Sequence, residues 1–193
     1  MNKKVNLIIG SGVMGAYLST NLLNKKEKVI VTTRSIRKKM QNYDFLKIQK
    51  KVKFEKLDIK KKSSIQKIIN KHRPDKIFYF AGQSSLTKSL KSQNETFQSH
   101  YIGTKNFLDV LKEKNLNIKF FKANSGYIFS PNKGRINLNC KFSSSKNPYI
   151  KAQMKTFKLL KKYRQFGLNL SNLVFMQVES PLRYKDFFIK KIC

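Results

Sequence analysis

The sequence has no tryptophan, and cysteine occurs only twice, as Cys140 and Cys193. Two thiols so far apart form neither a disulfide framework nor a CxxC metal motif, and they fit a reduced cytoplasm. Long apolar runs are missing too. The run Val5-Asn6-Leu7-Ile8-Ile9 follows Lys3-Lys4 but is too short for the core of a signal peptide, and no stretch is long enough to span a bilayer. Internal repeats and low-complexity linkers are absent, so 193 residues read as one α/β domain with a sizeable core and little room for a second.

Acidic residues are scarce: 10 Asp and Glu stand against 42 Lys and Arg, a formal net charge of +32. Such an excess raises nucleic-acid binding. The cations are spread, however, through Lys25-Lys26, Lys60-Lys61-Lys62 and Lys161-Lys162, and lysine far outnumbers arginine. That pattern argues against specific nucleic-acid recognition and leaves nonspecific adhesion at low salt. The two histidines, His72 and His100, have no carboxylate or cysteine at ligand spacing; they read as surface or loop residues, and no metal is expected.

What the chain does carry begins with Gly10-Ser11-Gly12-Val13-Met14-Gly15. The aliphatic run before it reads as a buried strand, and Tyr17, Leu18, Leu22 and Leu23 after it are spaced as one face of a helix. A glycine turn between strand and helix is an arrangement that receives a dinucleotide. Gly10 makes the tight turn, Gly12 lets backbone approach a pyrophosphate, Gly15 lets the helix pack on the strand, and Val13 and Met14 open the helix whose amides face the phosphates. The next strand, Val29-Ile30-Val31-Thr32-Thr33, lacks the Asp or Glu that an NAD site places about 20 residues beyond the glycines. Arg34 and Arg37 stand there instead, which favours a 2′-phosphate and hence NADP over NAD.

Further strands are predicted at 52–57, ending at Asp58; at 76–80, running into Ala81-Gly82-Gln83-Ser84-Ser85; at 118–121, followed by Ala123-Asn124-Ser125; and at 168–175. Helices are predicted at 63–71, after a serine cap and stopped by Pro74, and along a face carrying Phe97, Tyr101, Thr104, Leu108 and Leu111. Phe120-Phe121 reads as core, and Ser143-Ser144-Ser145 as the connection leading to Tyr149. Strands alternating with helices predict a doubly wound parallel sheet, a Rossmann fold flanked by helices. Ligands bind such sheets beyond the carboxyl ends of the strands, where the glycine turn, Arg34, Asp58, 81–85 and 124–125 all fall.

These pieces, with Leu57-Asp58, Arg73-Pro74-Asp75-Lys76-Ile77, Gly103-Thr104, Asn147-Pro148-Tyr149 and Glu179-Ser180-Pro181-Leu182-Arg183 followed by Phe187, occur in one order along the chain. In that order the sequence resembles the extended short-chain dehydrogenase/reductases that remodel nucleotide sugars, most closely the GDP-mannose 4,6-dehydratases. The resemblance implies an NADP-binding Rossmann domain over 1–178 and, over 179–193, the start of a substrate-binding region that is otherwise absent. It implies Asp58 at the adenine with Ile59 beside it, Ala81, Gly82 and Gln83 along the cofactor, and Ser84, Glu179, Ser180 and Arg183 toward a nucleotide sugar such as GDP-mannose. It makes Ser125 and Tyr149 the catalytic hydroxyls, the tyrosinate taking a proton from the sugar 4-hydroxyl as hydride leaves C4 for NADP. Water is then lost across C5 and C6, and the hydride returns at C6. A cytoplasmic enzyme, with a homo-oligomer possible in principle and no membrane partner, fits this picture.

The sequence departs from the family at four points. Gln153 stands where the family has the lysine that lowers the tyrosine pKa, and Lys151 and Lys155 lie around the helix from Tyr149. Tyr127 stands where the dehydratases carry a glutamate base. The glycines are spaced by two and then three residues, whereas the family spaces them by three. The family's chains are much longer, their C-terminal part building most of the sugar-nucleotide pocket, so the chain reads as a fragment or a remnant. Two other readings fit the same residues: a catalytically silent NAD(P)-binding or interaction protein, and another extended reductase such as a nucleotide-sugar epimerase.

Overall fold

Leu7, Ile8 and Ile9 are buried and alternate between two cores: Leu7 and Ile9 face one, Ile8 the other. A strand buried on both faces is the centre of a parallel sheet. This strand, β1 (Val5–Ile9), lies in a six-stranded sheet with β2 (Lys28–Thr33), β3 (Lys53–Lys56), β4 (Lys76–Tyr79), β5 (Lys119–Ser125) and β6 (Leu170–Phe175). The order is β3-β2-β1-β4-β5-β6 and every pairing is parallel. The computed structural model describes residues 3–37, 40–132 and 134–183. Phe187 and Cys193, named above, lie outside the described residues.

Helices α1 (Val13–Asn24) and α2 (Gln41–Phe45) cover one face, with Ala16, Leu22 and Tyr43 packed on Ile8, Val29 and Val31. The other face is covered by α3 (Lys62–His72), α6 (Gly103–Glu113) and α7 (Pro148–Arg164), through Ile65, Phe107, Leu111 and Leu160. Two short helices, α4 (Leu86–Lys91) and α5 (Gln93–Phe97), lead from β4 towards α6. Burying each fully covered aliphatic side chain contributes about 1.5–3 kcal/mol, so both faces are needed to offset the entropy of ordering the chain.

Several boundaries differ from those read off the sequence. The fifth strand does not stop at Phe121: Ala123, Asn124 and Ser125 continue the ladder opposite Leu173, Val174 and Phe175, so Ser125 is its last residue rather than a loop residue. Phe120 and Phe121 point to opposite faces, Phe120 into the core and Phe121 stacked on Phe78 at 4.8 Å. Helix α3 starts at Lys62 without a side-chain cap; Ser64 instead accepts from the Asp58 amide, and the helix ends on Arg73 at φ 43° ahead of Pro74. The long helix expected through 97–111 is present, running from α5 into α6 with a π turn, Gln98–Ile102, inside it.

Neither histidine is a surface residue. The His72 side chain is buried with Nε2 2.9 Å from the Glu55 carboxylate, and His100 is 4% exposed. Both lie on helical turns that face the sheet, a placement their spacing from carboxylates in sequence does not reveal.

At Gly15 helix α1 packs closely on the end of β1 and the turn after it. A Cβ there would press into the backbone carbonyl of Gly10 and reach the Tyr43 hydroxyl at 3.0 Å, whereas one on Gly12 would meet nothing within 4 Å. Gly15→Ala should therefore destabilise the fold by about 2 kcal/mol despite alanine's better helix propensity, and Gly12→Ala by less than about 1 kcal/mol. Urea denaturation of both variants measures this, and equal losses would contradict the close packing.

Candidate active site

The glycine turn lies where the strand order changes direction, between β1 and β4. Gly10 has φ +108°, its amide donates to Thr32 O at 3.1 Å, and a Cβ on it would stand 2.9 Å from the Ala81 amide nitrogen. Only glycine allows the turn after β1 to lie against the loop after β4. Gly12 precedes α1 in extended conformation, with no side-chain cap and no acidic residue in the first turn. The first amides of α1, from Val13 and Met14 onward, thus keep the unpaired N–H groups and positive dipole end that suit a phosphate.

The other strand ends converge on this place. Beyond β2, Arg34 Nη1 lies 2.6 Å from Glu95 Oε1 of α5, and Arg37 is exposed. Beyond β3, the Asp58 carboxylate accepts from the Lys60 amide at 3.0 Å, and Ile59 packs where a Cβ on Gly103 would stand. Beyond β4, Gly82 has φ +134°, Ser84 is exposed, and the Gln83 side chain closes the loop through both the amide and the carbonyl of Ser85.

The π turn brings His100 into the middle of the site. Its Nε2–H donates to Gln83 O at 2.8 Å, which leaves Nδ1 to accept from Gln153 Nε2 at 3.4 Å. The ring meets Tyr149 edge-on at 5.4 Å and fills the space that a side chain at 82 would occupy. The His100 carbonyl accepts from Thr104 at 2.7 Å and from Thr156 of α7 at 3.2 Å. Burial and the positive charge of Lys122 hold His100 down to about 3, so the ring is neutral near pH 7.

Helix α7 begins on Asn147, whose Oδ1 accepts from the Tyr149 amide at 3.0 Å and from Ser89 Oγ at 3.1 Å. That cap ties the start of α7 to α4 and seats Tyr149 in the buried interior. Burial pushes the Tyr149 phenol up; hydrogen bonding with Ser125 and Gln153 and the charge of Arg183 pull it back only in part, while Tyr127 opposes them. Ser125, Tyr149 and Gln153 are therefore together at one point. Lys151 and Lys155 are exposed, the ammonium of Lys155 lying over the Phe97 ring. Tyr127 is 57% exposed in a 3₁₀ turn whose amide donates to Ser125 Oγ. Glu179 and Arg183 pair at 3.7 Å, and Ser180 O accepts from the Arg183 amide at 3.0 Å.

Sequence reasoning missed His100, Lys122, Glu95 and Asn147. Lys122 is 1% exposed: it shares the inward face of β5 with Phe120 and Asn124, and its ammonium lies 5.3 Å from the Tyr79 ring centre and donates to Ala123 O. Extending the strand's alternation past Phe121 would have placed this lysine inside.

A family model described as GDP-mannose 4,6 dehydratase matches residues 7–193. The chain belongs to the GDP-mannose 4,6-dehydratase family. It is 29% identical to the GDP-mannose 4,6-dehydratase of Vibrio cholerae serotype O1 over all of this chain and 54% of that protein. It is 26% identical to the GDP-mannose 4,6 dehydratase of Drosophila melanogaster over 98% of this chain and 51% of that protein. The chain thus spans about half the length of the curated relatives it matches. Among solved structures, the dTDP-glucose 4,6-dehydratase of Streptomyces venezuelae with NAD bound superposes with a TM-score of 0.84 at 16% identity, covering 97% of this chain and 60% of that one. The UDP-glucuronic acid 4-epimerase of Bacillus cereus, solved with UDP-glucuronic acid and NAD, gives 0.83 at 18%, covering 96% and 60%. Among the described residues no cluster of His, Cys, Asp and Glu could hold a metal ion, and no helix is long and apolar enough to cross a membrane.

Burial alone brings Lys122 down to about 7 from an ordinary 10.5. Between those values the unfolded chain binds a proton that the folded chain does not, so Lys122 makes stability rise with pH across that window. Lys122→Met should raise stability at pH 7 and flatten the rise, read as urea midpoints from pH 6 to pH 10. An unchanged slope would show that the lysine is solvated.

Proposed function

We propose that this chain is the cofactor-binding part of an NADP-dependent nucleotide-sugar dehydratase that converts GDP-mannose to GDP-4-keto-6-deoxymannose. The observation that carries this reading is the pairing of Ser125 with Tyr149, packed against the His100 ring that fills the space at Gly82. The fit to a dinucleotide rests on the open space at Gly12 and the uncapped, acid-free start of α1. Gly10, Gly12, Val13, Met14 and Gly15 would hold the pyrophosphate, Arg34 and Arg37 the 2′-phosphate, Asp58 and Ile59 the adenine side, and Ala81, Gly82 and Gln83 the nicotinamide side. When bound, the nicotinamide accepts and returns hydride.

The chain's own residues have narrower tasks. Tyr149 takes the proton of the sugar 4-hydroxyl, and Ser125 hydrogen-bonds the same oxygen. Ser84, Glu179, Ser180 and Arg183 orient the sugar nucleotide, with 179 onward beginning the substrate side. Gln153 donates a hydrogen bond to the phenolate but brings no charge, so Tyr149 ionises only at high pH. Turnover should accordingly climb with pH on the alkaline side. A second reading, a nucleotide-binding protein without catalysis, is favoured by Gln153 and by the exposed phenol of Tyr127 in place of a carboxylate.

Incubation with NADP and GDP-mannose separates the two: the 4-keto-6-deoxy product supports the dehydratase, and binding without product supports the silent protein. Loss of both, with neither NADP nor NAD raising the thermal midpoint, would overturn the cofactor reading. Tyr149→Phe should lower any turnover at least about 100-fold. Gln153→Lys should move the alkaline limb of the rate profile towards neutral pH, since a cation there favours the phenolate. An unmoved limb would exclude Tyr149 as the titrating base.

A further inference from the structure

Arg34 leaves the end of β2 and its guanidinium meets Glu95, in the first turn of α5, at 2.6 Å. Glu95 lies 61 residues further along the chain and is one of only 10 acidic residues in it. Helix α5 follows α4, the helix that the loop after β4 leads into, so the ion pair joins the β2 end to the second helix beyond the Gly82 loop. Where a β2 end reads ribose hydroxyls it carries the carboxylate itself. Here the β2 end carries the cation, and the carboxylate arrives from another element.

We infer that Glu95 sets the cofactor preference of this site, holding the Arg34 guanidinium and, by its own charge, weakening a 2′-phosphate there so that NAD is accepted beside NADP. The inference rests on the cofactor reading proposed above. A carboxylate and a phosphate compete for one planar donor set, and both are negative, so the second to arrive pays for the first. The 2′-hydroxyl of NAD carries no charge and meets no such repulsion; it can donate to the carboxylate. The side chains are 85% and 54% exposed, so the pair contributes little to folding and Glu95→Gln should fold normally.

The test is calorimetric titration of the full chain with NADP and with NAD, for the wild type, Glu95→Gln, Arg34→Gln and the double variant, at low and high salt. Glu95→Gln should tighten NADP about fivefold at low salt and change NAD by less than about twofold, with the gain shrinking at high salt. The gain should fall to less than about twofold when Arg34 is also glutamine, where only the charge of Glu95 is left to act. Equal changes for both nucleotides, no change for either, or a gain of full size without Arg34 would overturn the inference while leaving the cofactor reading in place. Failure of all four proteins to bind either nucleotide would overturn both.

Discussion

The imidazole of His100 touches both the loop after β4 and the start of α7, and the backbone around it is shaped to admit it. A π turn swings the ring in from the α5–α6 helix, Gly82 leaves the space it fills, and Gln83 O fixes its donor nitrogen. The remaining nitrogen then accepts from Gln153, while the ring edge packs on Tyr149. Because burial keeps the ring neutral, these contacts hold through the physiological range rather than switching within it. The loop after β4, the turn into α6 and the start of α7 are thereby fixed relative to one another.

Charge is distributed around this centre in an unusual way. A chain of net charge +32 keeps the position one helical turn after Tyr149 neutral, as Gln153, and buries a lysine on β5 instead. Lys122 acts on His100, and Arg183 acts on Tyr149. The scarce carboxylates are used in pairs and networks: Glu55 with Lys71 and His72, Asp109 with Lys62 and Lys105, and Glu95 with Arg34. With so few acids to share, where each one sits decides which cation is held and which is left to solvent or ligand.

The sheet was legible because its signals are local. Aliphatic runs mark β1 and β2, glycine marks the turn, and the recurrence of small residues after strands marks the binding edge. Ser125 was assigned to a loop because Lys122, Asn124 and Ser125 end the apolar pattern, although backbone pairing with β6 carries the strand to its last residue. His100 reads as a surface or loop residue because no carboxylate or cysteine stands at ligand spacing from it, and the π turn that carries it leaves no mark on hydrophobic spacing. Arg34 was legible as a cation at the right strand end, but its partner is 61 residues away and on a different element.

The sequence by itself determined the doubly wound sheet, its order of strands and helices, and which loops lie at the carboxyl edge, since each follows from short-range periodicity and from the conformations only glycine permits. The tertiary structure decided what meets at that edge. It brought Ser125, Tyr149, Gln153 and His100 together, sank Lys122 behind them and set Glu95 on Arg34. Those contacts depend on how far each strand extends and how each helix is rotated against the sheet, and both are settled by packing and distant backbone pairing.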